Sequence, residues 1–216
     1  MNTTDGIRIK DLHSYRDFDL YIKYRIIGLP EKKSIRQTVA FMNGYYDFSA
    51  LNGAAAWGER LIEYGFDVIA DTPQELELEV GRILNWLCNV HDEDIFDDTL
   101  TRFHWHGSYD KSDVSYDEDG EHAEIKVSFV VHPFKIADVA TIYTMKAGTH
   151  KITNLGMAVA PFVICDTTAA IQIGTYVSSI PANEEIQLEI DLARGENTVL
   201  VTGAGTVRLS YYEEVI

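Results

Sequence analysis

Two histidines separated by one residue have the clearest potential for metal chemistry in this chain. His104 and His106 flank Trp105 in a segment with strand-like composition. Alternate residues of a β-strand point to the same face, so the two imidazoles could bind one ion. A third ligand would have to come from elsewhere, and the candidates are His91, Asp92 and His122. No second element has a ligand spacing such as His-x-x-x-His. We therefore interpret the pair as polar strand positions and predict neither a metal site nor a cofactor.

Carboxylates are plentiful, but they form no recognisable site. The acidic stretch 92–98 lacks the alternating carboxylates, central glycine and closing glutamate of a calcium loop. The stretch 117–121 contains Asp119-Gly120, which favours a charged hairpin tip. No particular pair of carboxylates stands out for glycoside cleavage. Nucleophile and phosphate-binding motifs such as G-x-S-x-G and G-x-x-x-x-G-K-[ST] are absent. The sequence therefore predicts a protein without catalytic residues, which is not an enzyme.

Tryptophans and cysteines supply the remaining candidates for function. Trp57, Trp86 and Trp105 could bind sugars, but Trp86 lies in a helical pattern and Trp105 in a strand, which favours packing. Cys88 and Cys165 lie far apart in the sequence, and neither has a lysine or arginine close by. Such cysteines are typical of buried free thiols, so we predict no disulfide and no reactive thiol.

Composition and charge exclude several classes of function. The 216 residues are 46% hydrophobic and 24% charged, as in an ordinary globular protein. A net charge of -16 disfavours binding to nucleic-acid phosphates and to anionic membranes. The segment Met1–Gly6 has no signal-peptide pattern, and no apolar run reaches the roughly 20 residues that cross a bilayer. We expect a protein that is assembled in the cytoplasm, without specific nucleic-acid or membrane binding.

One helix is expected in the first part of the chain, among strands. Thr72 is a good N-cap, Pro73 suits the first helical position, and Glu75 completes a capping box. Apolar residues then follow at helical spacing up to Leu87. Alternating apolar and aromatic residues on either side of this helix predict strands.

The pattern changes near residue 136. From there to the C-terminus, short strand-like runs alternate with turn residues, and no helical segment appears. This pattern is typical of a small β-sandwich. We therefore predict two domains, 1–135 and 136–216, and a mainly β fold. The first domain would be sandwich-like or barrel-like with one α-helix, and the second a β-sandwich.

Several ordered phrases carry a resemblance to a known family. They are Tyr15-Arg16-Asp17-Phe18-Asp19-Leu20, Ile27-Gly28-Leu29-Pro30-Glu31-Lys32-Lys33, Asn43-Gly44-Tyr45-Tyr46-Asp47-Phe48-Ser49, His132-Pro133-Phe134, and the terminal strand pair 195–212. In order and spacing they resemble the distal tail proteins of long non-contractile-tailed bacteriophages and prophages. The chain departs from the family pattern at Asp19, where glycine is usual, and at Ala40-Phe41-Met42, where Pro-Gly-Arg is more usual.

The resemblance implies a structural role at the phage tail tip. It implies a ring of six subunits whose wall is the first domain, with a galectin-like second domain outside. That ring would join the tail tube protein to the tail-associated tip protein and the receptor-binding protein, within the virion. The phrases supply the ring-interface candidates, which are Phe18, Leu20, Pro30, Glu31, Lys33, Asp47 and Phe48. The alternatives are a carbohydrate-binding module in host-surface adhesion and a metal-dependent hydrolase built on His104 and His106.

Overall fold

The structure is a computed structural model that describes residues 5–49 and 56–216. The start of the segment Met1–Gly6, whose sequence shows no signal-peptide pattern, lies outside the described residues. Contacts divide the chain into two compact units, one ending at Lys135 and the other comprising Ile136–Ile216. The mainly β fold predicted from the sequence is confirmed. No helix in the described ranges is both long and apolar enough to span a bilayer.

The first unit combines strands with two helices. Its elements are β1 (Ile7–Ile9), β2 (Leu12–His13), α1 (Ser14–Phe18), β3 (Tyr21–Ile27), β4 (Arg36–Gln37), β5 (Tyr46–Asp47), β6 (Arg60–Ile69), α2 (Pro73–Cys88), β7 (Glu93–Asp97), β8 (Phe103–Tyr116) and β9 (His122–Val131). Except for β4 and β5, which pair with each other, these strands run in the order β2-β1-β7-β8-β9-β6-β3. All the pairings are antiparallel.

This main sheet curls strongly. Arg25 lies on β3 and Asp97 on β7, four positions apart in the strand order. In a flat sheet the two strands would be about 19 Å apart. The Arg25 Nε nevertheless lies 2.9 Å from the Asp97 Oδ2. The sheet therefore bends back toward itself, in keeping with the barrel-like first domain that the sequence predicts.

Helix α2 covers the concave core as its sequence predicts. The Thr72 hydroxyl accepts the Glu75 backbone N–H at 3.3 Å, and Pro73 opens the helix. The buried face packs on β6, β8 and β9 and consists of Leu76, Val80, Ile83 and Leu87. Each such side chain stabilises the fold by roughly 1.5–3 kcal/mol.

The prediction that Cys88 is buried is wrong. Cys88 is exposed, whereas Cys165 is buried, and both are free thiols. Cys88 ends the helix, twelve residues after Leu76, which turns its side chain about 120° away from the buried face. Helical periodicity therefore already separates Cys88 from the core.

A short helix that the sequence reading missed precedes β3. Residues Ser14–Phe18 form α1, and the His13 Nδ1 accepts the backbone N–H groups of Tyr15 and Arg16 at 3.1 and 3.3 Å. Asp19 ends the helix in the left-handed region, with φ 52°. Glycine is the easiest residue there, and aspartate is one of the few others that adopts it readily. The expectation of one helix is therefore corrected to two in the part of the chain that the structure describes.

The second unit is a sandwich of two four-stranded sheets. Its strands are β10 (Lys135–Ala137), β11 (Thr141–Met145), β12 (Gly148–Asn154), β13 (Phe162–Cys165), β14 (Ala169–Ile173), β15 (Tyr176–Ile180), β16 (Ile186–Gln187), β17 (Gly195–Gly203), β18 (Val207–Tyr211) and β19 (Glu214–Val215). One sheet has the order β11-β18-β13-β16 and the other β12-β17-β14-β15, while β10 pairs with β19. Alternate residues of both sheets, among them Ile152, Val163, Ile171, Val201 and Leu209, form the buried core.

Candidate assembly interface

An extended arm, residues 31–49, projects from the first unit. At its base the Gly58 N–H donates to the Glu31 carbonyl at 2.7 Å, and Lys32 pairs with Trp57 as an isolated bridge. Farther out, β4 and β5 pair through Arg36 with Asp47. The arm is therefore a hairpin held mainly by backbone hydrogen bonds.

The base of the arm is fixed by close backbone contact. The Gly28 N–H donates to the Leu61 carbonyl at 3.0 Å. An added Cβ at Gly28 would lie 2.7 Å from that same carbonyl oxygen, so only glycine fits without a shift. Pro30, two residues on, is buried. The phrase Gly28-Leu29-Pro30 thus anchors the arm to β6.

Exposed apolar side chains are concentrated on the arm. Every residue from 31 to 41 is exposed, and Phe41 is fully so at a left-handed φ of 68°. The exposed large apolar side chains of the arm are Ile35, Val39, Phe41, Tyr45 and Tyr46, each exposed by about half or more. Clustered apolar exposure of this kind is typical of surfaces that another molecule covers.

Polar contacts order the two limbs of the arm. The Ser49 backbone N–H donates to the Asp47 Oδ1 at 2.9 Å, and the Arg36 Nε lies 3.6 Å from the Asp47 Oδ2. Ser49 and, more weakly, Arg36 lower the pKa of Asp47. The Arg36 guanidinium also lies over the Tyr45 ring, 4.5 Å from its centre. These contacts hold the apolar side chains in one hairpin.

The ring-interface candidates separate into two groups in the structure. Glu31, Lys33 and Asp47 are exposed on the arm, and Phe48 is half-buried there. Pro30 lies buried at the base of the arm.

The other two candidates belong to the subunit's own core. Leu20 is 0% exposed, and Phe18 stacks on Trp86 with ring centres 4.7 Å apart. The side chain of Leu20 is therefore enclosed within the first unit. The exposed Ile35, Val39 and Phe41 escaped sequence reasoning, because alternating apolar residues indicate a buried strand as readily as an exposed one.

The His104 and His106 side chains share one aspartate, as expected for one face of a strand. The Nε2 of His104 lies 3.4 Å from the Asp94 Oδ1, and the Nδ1 of His106 lies 2.7 Å from the same oxygen. The Nε2 of His106 lies 3.0 Å from the Asp92 Oδ1. No group of three or more metal-ligating side chains lies close enough to hold an ion within 5–49 and 56–216.

His106 has a raised pKa, whereas the pKa of His132 is lowered. Burial lowers the pKa of His106, but hydrogen bonds to Asp94 and Asp92 outweigh it and raise the pKa overall. His132 lies nearby, and its N–H donates to the His106 carbonyl at 2.7 Å. Burial chiefly, with the charge of His106, lowers the pKa of His132.

The tryptophans pack rather than forming a sugar platform. Trp105 is buried, and the Arg60 guanidinium lies over its ring, 4.9 Å from the centre. Trp86 packs against the core, as the sequence predicts. Trp57 meets Phe134 edge to face at 5.9 Å. All three lie in the first unit, where they stabilise packing.

Comparison with known proteins gives a structural match but no match by sequence. No family model matches the chain, and no curated protein matches it. The crystal structure of the SPP1 Dit protein (gp 19.1), described as a paradigm of the hub adsorption apparatus in phages that infect Gram-positive bacteria, matches with a TM-score of 0.74. The identity is 12%, and the match covers 98% of this chain and 99% of that one.

Two structures of the phage P2 baseplate in its activated conformation, with Ca and with Sr, also match. Both are 9% identical, cover 98% of this chain and 99% of theirs, and have TM-scores of 0.40 and 0.39, which are too low to carry an argument. At 12% identity, the SPP1 match shows the fold. The chain therefore has, over nearly its whole length, the fold of a phage Dit hub protein.

Proposed function

We propose that the protein is a structural subunit of a phage tail tip, where it forms the hub ring of the baseplate. The observation that carries this proposal is the similarity to the SPP1 hub protein across both units, together with the apolar arm.

The arm is suited to ring closure. Its exposed apolar side chains need a cover, and the subunit's own core does not provide one. An arm that docks on a different surface of the next copy makes a head-to-tail contact, which closes into a ring when the rotation per subunit divides a full turn. Glu31, Lys33, Asp47 and Phe48 would lie in that contact with Ile35, Val39 and Phe41.

The edge of the main sheet supports the same proposal. Strand β3 is an edge strand with exposed Tyr21, Ile26 and Ile27. An open, apolar edge invites pairing with other chains, and natural proteins cover such edges. A neighbouring subunit in the ring would cover β3 without open-ended growth.

The proposal also assigns a role to each unit, partners to the ring and a location in the virion. Residues 1–135 would form the ring wall, and residues 136–216 a galectin-like domain on its outer face. Six copies would join the tail tube protein to the tail-associated tip protein and the receptor-binding protein. Assembly would take place in the host cytoplasm, with the finished ring in the virion at the tail tip. The acidic surface suits a ring that does not retain nucleic acid.

Mass measurement in solution combined with negative-stain imaging tests the ring. We expect the full chain to form rings of six copies as its concentration rises. The double substitution Ile35→Ser and Phe41→Ser should leave a folded monomer, because both side chains are exposed on the arm.

A matched control is Val139→Ser, which changes an equally exposed residue of the second unit and should leave ring formation unchanged. A chain that stays monomeric at every concentration would contradict self-assembly. Rings that persist in the arm variant would contradict the role of the arm.

A second candidate function is carbohydrate binding in adhesion to the host surface. One observation favours it, which is a groove on the second unit that combines aromatic and polar side chains. This function and the structural one are compatible in a single tail-tip protein.

A further inference from the structure

A shallow groove crosses the outer face of the sheet β11-β18-β13-β16. It has a volume of about 380 Å³, within the range of small-molecule sites. The residues that line it are Ala140, Ile142, Phe162, Glu185, Arg208, Ser210 and Tyr212. A second hollow of about 290 Å³ meets it at Arg208 and includes Asp166, Asn183 and Thr206.

The register of the strands explains why these residues converge. Ser210 on β18 pairs with Ile142 on β11 and with Phe162 on β13, so the three side chains form one row across the face. Arg208 lies two residues before Ser210 on β18, on the same face of the sheet. Tyr212 directly follows β18 and also lines the groove. Ser210 belongs both to this row across the strands and to the line of alternate residues along β18, so it lies in the floor of the groove.

The groove presents exposed rings and apolar surface beside polar groups. Tyr212 is 46% exposed, Phe162 36% and Ile142 55%. These side chains can pack against the C–H faces of a ligand, as aromatic rings combine a large apolar surface with specific geometry. Arg208 and Glu185 are exposed at the same site.

The polar side chains of the groove have no hydrogen-bonding partner among the described residues. The side chains of Arg208, Glu185, Ser210 and Tyr212 make no hydrogen bond or ion pair with any described residue. Together they supply a guanidinium that only donates, a carboxylate that only accepts, and two hydroxyls that do both. A ligand rich in hydroxyl groups matches this mixture, because each hydroxyl both donates and accepts.

Charge distinguishes among such ligands. The residues that line the groove and the adjoining hollow include one cation, Arg208, and two carboxylates, Glu185 and Asp166. The Asp166 Oδ1 already accepts the Thr206 backbone N–H at 2.7 Å. The site thus lacks the net positive charge that phosphate or sulfate groups require. A neutral ligand is favoured over an anionic one.

We propose that this groove is a binding site for a neutral oligosaccharide. Tyr212 and Phe162 contact the apolar faces of the sugar rings, while Arg208 and Glu185 bind neighbouring hydroxyls. Single contacts to hydroxyl groups on an open face give each site a weak affinity for the sugar. Six copies of the site around a ring would bind a repeating polysaccharide more tightly than one copy does. This inference rests on the second candidate function, carbohydrate binding. The site lies within one unit of one chain, so its existence does not depend on ring formation.

The experiment is an NMR titration of the full-length protein with neutral disaccharides of hexoses and of N-acetylhexosamines at millimolar concentration. We expect saturable amide shifts confined to β11, β13 and β18. Arg208→Ala and Tyr212→Ala should each weaken binding about tenfold or more, in line with the loss of a charge-assisted hydrogen bond or a ring contact.

The matched control is Arg194→Ala, which removes an exposed arginine of the same unit away from the groove. It should bind the disaccharides as the unaltered chain does. Absence of saturable shifts with every disaccharide would overturn the proposal, as would equal weakening by Arg194→Ala. Shifts that appear only with a glycerol phosphate polymer, and not with neutral sugars, would also overturn it. The imaging of rings is a separate readout, so failure of the sugar site and failure of the ring are distinguishable.

Discussion

The arm of the first unit and the sandwich of the second are held together in different ways. The arm has backbone hydrogen bonds and a few polar contacts, and its apolar side chains face outward. The sandwich encloses its apolar side chains between two sheets. In the sandwich, apolar residues therefore stabilise the subunit, whereas on the arm they are available for association. The same residue types are enclosed in one region and exposed in the other.

The largest effect is expected in the core of the sandwich. Leu209 is 0% exposed, and Leu209→Ala should lower the free energy of unfolding by about 2–5 kcal/mol because it leaves a cavity. Urea unfolding followed by circular dichroism measures the change. Ile142→Ala, on the neighbouring strand but exposed, should change it by less than about 1 kcal/mol. Equal losses in the two variants would remove the contrast between a closed core and an open face.

A half-buried carboxyl should make the stability of the second unit depend on pH. Burial chiefly, with the charge of Asp191, raises the pKa of Glu214 from 4.5 to about 7. The raised pKa favours the protonated form, so its stabilisation is complete below about pH 4.5 and is lost as the pH rises through 7. Glu214→Gln mimics the protonated form and should stabilise the protein at pH 8 by up to about 3 kcal/mol, with little change at pH 4.

Thermal unfolding at the two pH values tests this prediction. The control Glu184→Gln changes an exposed carboxyl and should shift neither curve. A Glu214→Gln variant with the same pH dependence as the unaltered chain would contradict the assignment.

A smaller pH effect of the same sign is expected in the first unit. His106 has a raised pKa, so its ion pairs with Asp92 and Asp94 stabilise the fold below about pH 6.5 and lose that effect as the pH rises through the folded pKa. The side chain is 36% exposed, so screening limits the contribution to about 1 kcal/mol at most. His106→Gln should flatten the stability curve between pH 6 and 8. His91→Gln, at an exposed position nearby, should leave the curve unchanged.

The smallest effect on stability is expected on the arm. Phe41 is fully exposed, and Phe41→Ser should leave the free energy of unfolding of the monomer within about 0.5 kcal/mol. Urea unfolding at a concentration below that of ring formation measures it. A loss comparable to that of Leu209→Ala would mean that the arm is part of the core, and the contrast between the two regions would fail.

Part of this architecture could be predicted from the sequence because it rests on local signals. The N-cap at Thr72 and the spacing of Leu76 to Leu87 predict α2 to within a residue. Helix α1 could not be predicted, because five residues carry no periodicity and its cap is an uncommon one, His13.

The exposure of the arm could not be predicted either, because it depends on tertiary structure. Val39 and Phe41 alternate with smaller residues as strand residues do. Only the fold shows that neither side chain packs against a core. The groove likewise depends on long-range register, since Phe162 and Ser210 are brought side by side only by the pairing of β13 with β18. Local patterns predict elements, whereas sites assembled across strands need the pairing itself.

The packing of the three tryptophans has a practical consequence. Trp57, Trp86 and Trp105 all lie in the first unit, and the second unit contains tyrosines but no tryptophan. Selective excitation of indole therefore reports on the first unit alone, with no label and no substitution. Because the Trp105 ring lies against the Arg60 guanidinium in the core, its emission should change when that unit opens. The chain thus carries an intrinsic optical probe that separates the unfolding of one unit from that of the other.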